Sequence, residues 1–79
     1  MSIRQLEVQG EYYYPISDFL SVLGYEGAAC IKAKKILLQD VAAGDITTVR
    51  HGLGWIQVVS EQGLADILED HPVLKQYME

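Results

Sequence analysis

Apolar and polar positions along the 79-residue chain change their spacing several times, and each change marks an element. Ile3, Leu6 and Val8 alternate imperfectly before Gly10-Glu11 and Tyr12-Tyr13-Tyr14, which predicts two short strands joined by a turn. Pro15-Ile16 breaks this hairpin. Ser17 then stands where it can cap a helix whose Phe19, Leu20 and Leu23 share one side, and Gly24 is a natural C-terminal stop. This first helix is short, about two turns.

A second helix is predicted from Ala28 to about Gln39. At 100° per residue, Ile36, Ala29, Ala33, Leu37 and Cys30 fall on one broad face. Lys32, Lys35 and Gln39 fall on the opposite one, and Lys34 lies near the edge of the apolar face. Ala42-Ala43-Gly44-Asp45 connects to Thr47–His51, a strand rich in β-branched residues; Gly52-Leu53-Gly54 supplies a turn and Trp55–Val59 the returning strand. Val58-Val59 passes through Ser60, a ready N-cap, into a helix with Leu64, Ile67 and Leu68 on one face and Gln62, Asp66, Glu69 and Asp70 on the other. His71-Pro72 interrupts it, and Val73, Leu74 and Tyr77 predict a last turn or two packing back on the body. The reading is one small α+β domain over residues 1–79 in the order β-β-α-α-β-β-α, two short hairpins packed with helices, with a winged-helix-like arrangement as a variant.

Composition narrows the chemistry. Hydrophobic residues make up 49% of the chain and charged residues 22%, a globular balance rather than that of a disordered tail. Cys30 is the single cysteine, so no intrachain disulfide and no cysteine-based zinc site can form within one protomer, which suits a reducing cytoplasm. No apolar run approaches the roughly 20 residues that span a bilayer, and the amino terminus lacks a basic segment followed by a hydrophobic one. The chain reads as cytoplasmic. A core this small, with many apolar and aromatic residues, favours completion by a second copy, so a homodimer is expected.

Catalytic motifs are missing. Cys30 falls on an apolar helix face without a base beside it, and His51 and His71 have no second ligand at a recognised spacing. No glycine-rich phosphate loop, nucleophile elbow or paired-carboxylate motif occurs, so neither an enzyme nor a cofactor is expected. Binding has better support: Lys32 and Lys35 on one exposed stripe, with Arg50 and His51 at the end of a hairpin, can meet a phosphate backbone as a helix and a wing. The net charge of −5 opposes this, because phosphate contacts need a basic face. The charge is uneven, however: residues 1–40 hold four basic and five acidic side chains, and residues 41–79 two basic and six acidic.

Several motifs together resemble the amino-terminal (Bro-N) domain of phage antirepressors and large DNA virus regulators. Glu11-Tyr12-Tyr13-Tyr14-Pro15-Ile16 resembles the aromatic opening strands of that family. Asp18 with Leu23-Gly24-Tyr25 is similar to its aspartate-led helix ending in Leu-Gly-Tyr, and Ser60-Glu61-Gln62-Gly63-Leu64 to the motif after its hairpin. The resemblance covers most of the chain and implies a cofactor-free regulatory module of phage or prophage type, binding DNA or a regulatory protein. On the DNA reading Lys32, Lys35, Arg50 and His51 face phosphates. On the alternative, an acidic module sequesters or inhibits a host or phage regulatory or defence protein through Asp66, Glu69 and Asp70 with Tyr13 and Tyr25.

Overall fold

The computed structural model describes residues 2–79. Strands β1 (Leu6–Val8) and β2 (Glu11–Pro15) are followed by helices α1 (Ile16–Val22) and α2 (Ala29–Leu37). Strands β3 (Ile46–His51) and β4 (Gly54–Ser60) and helix α3 (Glu61–Asp70) complete the domain. The expected α+β order β-β-α-α-β-β-α is the observed one. The two hairpins are not separate, because β2 pairs with β4 and makes one antiparallel sheet in the order β1-β2-β4-β3.

Local chemistry sets the turns. Gln9 and Gly10 both have positive φ, 53° and 83°, as a type I′ hairpin turn requires, so the first turn sits one residue earlier than Gly10-Glu11. The second turn is the two-residue Gly52-Leu53 rather than Gly52-Leu53-Gly54, because Gly52 takes φ of 63° and Gly54 joins β4 opposite His51. That one-residue difference decides which side chains meet across the hairpin.

Helix α1 departs from the expectation at its start. Pro15 is the N-cap, and Ser17 lies inside the first turn without a capping bond. Proline lacks the N–H that a ladder needs, so β2 stops at Pro15 and the chain turns directly into helix. At the other end Gly24, at φ 85°, donates to Ser21, and Tyr25 donates to the carbonyl of Leu20, the two bonds of a Schellman cap.

The core gathers Ile3, Tyr14, Ile16, Phe19, Leu20 and Val59 with Ala33, Leu37, Ile67 and Leu74 from the surrounding helical segments. Burying a side chain such as Phe19 contributes on the order of 1.5–3 kcal/mol. Tyr14 and Val59 are register partners, so the β2–β4 junction lies within this core. The Tyr14 hydroxyl accepts from Gln5 Nε2 at 3.0 Å. After α3, a 3-10 segment Pro72–Tyr77 buries Leu74, and Ile3 pairs with Met78 in a parallel bridge. Arg4 locks this seam to α1: its Nε and Nη2 donate to the two oxygens of Asp18 at 2.9 and 3.2 Å, and its backbone N–H donates at 3.0 Å. This ion pair holds the Arg4 guanidinium above its ordinary pKa. No helix among the described residues is long and apolar enough to cross a membrane.

Candidate nucleic-acid interface

Helix α2 packs chiefly against α1. With one main partner it buries a narrow stripe: Ala33 and Leu37 are buried, and Cys30, Lys34 and Leu38 are half-buried. Ile36 and Ala29, expected on the apolar face, are exposed, and Ile31 joins them; the stripe is rotated toward Lys34 and Leu38. Exposure reaches 67% for Ile31 and 50% for Ile36.

The rotation changes which lysine meets the hairpin. Lys34 Nζ donates to Gln57 Oε1 of β4, joining α2 to the second hairpin across a groove of about 230 Å³ that Ile16, Leu20 and Ile56 also line. Lys35 stands beside Lys34, around a concavity shared with Ile31 and Leu38. Lys32 lies on the other flank of α2, with Tyr25, Ala29 and Ile36.

On the hairpin, Arg50 pairs in register with Trp55, and the guanidinium carbon is 6.0 Å from the indole centroid, a cation–π contact. Thr48 pairs with Gln57, so Thr48, Arg50, Trp55 and Gln57 form a two-by-two block on one sheet face, and all four are exposed. His51 is exposed at the turn, but strand alternation sends it to the face opposite Arg50. Of the four residues expected to face phosphate, Lys35 and Arg50 thus flank the Lys34–Gln57 junction, whereas Lys32 and His51 stand off it.

Lys34, Gln57 and Trp55 are the members of this surface that periodicity and charge did not single out as phosphate-facing. A two-residue turn at Gly52-Leu53 was the signal for Trp55, since it alone sets Arg50 opposite the indole. The charge is segregated more sharply than the division at residue 40 suggests. Lys32, Lys34, Lys35 and Arg50, four of the six basic residues, lie on α2 and β3, and none of the eleven acidic residues lies on α2, β3 or β4.

The residues of the alternative surface occupy different neighbourhoods. Tyr13 is half-buried and donates to Glu11 Oε2 at 2.9 Å, a bond that holds its hydroxyl above its ordinary pKa. Tyr25 follows the Schellman turn beside α2. Asp66 accepts from Gln62 Nε2 at 3.2 Å, while Glu69 and Asp70 are exposed at the end of α3. The Asp70 carboxyl is raised above its ordinary pKa, first by a hydrogen bond shared with Asp40, then by loss of solvent and by the Asp40 charge. No group of three His, Cys, Asp or Glu side chains among the described residues is arranged to hold a metal ion.

Compared with known proteins, the chain matches no family model, no curated protein and no solved structure.

Proposed function

We propose that this chain is a small regulatory module of phage or prophage type that binds DNA to control transcription, working through α2 and the β3–β4 hairpin. The observation that carries the reading is the acid-free basic surface of these elements in a chain of net charge −5. Phosphate binding depends on local positive charge and counterion release, so a segregated basic face suffices where the whole molecule is acidic. The resemblance of the opening strands, the Leu23-Gly24-Tyr25 helix end and the Ser60–Leu64 motif to Bro-N domains points the same way.

The test is binding to fluorescent DNA from its own gene neighbourhood, titrated at low and near-physiological salt. Binding that survives the higher salt on one fragment is expected. Replacing Lys35 and Arg50 by alanine should reduce the slope of log K against log salt by nearly 2 on duplex, about 0.9 for each phosphate that is no longer neutralised. An unchanged slope removes both residues from the interface.

A second reading, a module that sequesters or inhibits a regulatory or defence protein, is favoured by the exposure of Ile31 and Ile36, since exposed apolar side chains on a helix are typical protein contacts. It moves the contact from the acidic face of α3 to α2, and Ile31→Asp then abolishes activity while the Lys35 and Arg50 variants keep it. The same exposed side chains suit a homodimer; sedimentation as a monomer at high micromolar concentration overturns that part.

A further inference from the structure

We infer that the exposed block Thr48, Arg50, Trp55 and Gln57 is a stacking platform for unpaired bases, so that the preferred ligand is single-stranded DNA. This rests on the DNA-binding reading above and specifies its substrate.

The first argument is what α2 lacks. The polar side chains of Ala29–Leu37 are three lysines, and its exposed positions otherwise carry Ala29, Ile31 and Ile36. Reading duplex bases through the major groove calls on arginine, asparagine or glutamine reaching base edges in pairs of hydrogen bonds. This helix offers point charges for phosphates and little to read with.

The second argument is what the hairpin exposes. Trp55 is 66% exposed on a strand whose neighbours on the same face are also open to solvent. An aromatic ring on an open sheet face, flanked by cations, is how proteins hold splayed bases: the ring stacks and the cations track the backbone. Arg50 lies against the Trp55 indole from across the hairpin. Gln57 lies two residues along β4, with Lys34 bonded to its Oε1. A base on the indole then has one cation across the hairpin and another along the strand for its flanking phosphates. The Gln57 amide oxygen is occupied by Lys34, leaving its NH₂ to donate to a base carbonyl. A duplex keeps its bases stacked on one another and cannot use the indole without being opened.

Trp55 is the sole tryptophan, so its emission reports the contact directly. The intact protein is titrated with a labelled 12-nucleotide single strand and with the duplex of the same sequence, following both Trp55 fluorescence and label anisotropy. Expected are quenching of Trp55 by the single strand, at least tenfold tighter binding to it than to duplex, and a loss of about 5- to 100-fold in Trp55→Leu with partial retention in Trp55→Phe. Both variants change an exposed side chain, and far-ultraviolet circular dichroism checks that they fold. Equal or tighter binding to duplex with unchanged emission overturns the platform and leaves the DNA reading standing, as does single-strand binding unaltered in Trp55→Leu. No binding to either ligand at low salt overturns the DNA reading itself.

Discussion

Gly63 shows how one residue's absence of a side chain fixes local architecture. A Cβ built there meets the Cβ of Val59 at 2.9 Å and the carbonyl oxygen of Asp45 at 3.3 Å. Inside α3, alanine is worth roughly 1 kcal/mol more than glycine by helix propensity. The close approach reverses that gain, since Val59 is fully buried and both contacts are with atoms on or next to the backbone. Gly63→Ala should therefore destabilise the domain by about 1–3 kcal/mol, read as a lower urea midpoint with an unchanged m-value. A midpoint at or above that of the parent shows that α3 can slide away from β4. In the sequence Gly63 stood out through its place in a Ser-Glu-X-Gly-Leu motif, and periodicity gave no hint that a helical glycine was needed for packing.

Elements were legible where one local signal decided them. Ser60 is the clearest case: its Oγ accepts from the backbone of Gly63 at 3.3 Å and donates to Asp45 Oδ1 at 2.9 Å, so one hydroxyl caps α3 and ties it to the segment before β3. Ser60→Ala should cost about 1–2 kcal/mol in a thermal melt, and Ser60→Thr should restore most of it; equal melting of all three proteins rules out the cap as a stabilising contact. The Leu-Gly-Tyr helix end was equally readable, and the second turn was legible in place but one residue too long. Ser17 misled because a capping residue only caps where the helix begins, and Pro15 had already started it. The inward stripe of α2 misled for a different reason. Nine residues bearing both apolar side chains and lysines fit more than one orientation on a helical wheel, and packing against α1 selected the one that turns Ile31 and Ile36 outward. The basic surface was thus half legible: Lys35 and Arg50 followed from spacing, while Lys34 and Trp55 needed the helix rotation and the hairpin register.

At the scale of the molecule, placing four of the six basic residues on α2 and the second hairpin leaves all the acidic ones elsewhere, and their crowding has a pH signature. Asp40 follows α2 and Asp70 ends α3, and their carboxyls share a hydrogen bond that raises the pKa of Asp70 above its ordinary value of 3.8. Asp40, Glu69 and His71 are the charged groups facing it, the first two raising its pKa and the imidazole lowering it. A carboxyl with a raised folded-state pKa binds its proton more tightly in the native chain than in the unfolded one. Its ionisation therefore opposes folding above the folded pKa, and the opposition fades as pH falls through that value, vanishing below the unfolded one. Asp70→Asn removes the charge but keeps a donor for Asp40. The variant should unfold at higher urea than the parent near neutrality, and the two midpoints should converge well below pH 3.8. The exposed setting of Asp70 means that added salt should narrow the neutral-pH difference by screening the repulsion. A variant equal to the parent at every pH would show that the two carboxyls do not interact in solution. A variant less stable near neutrality would show instead that the ionised pair is held by contacts stronger than its repulsion.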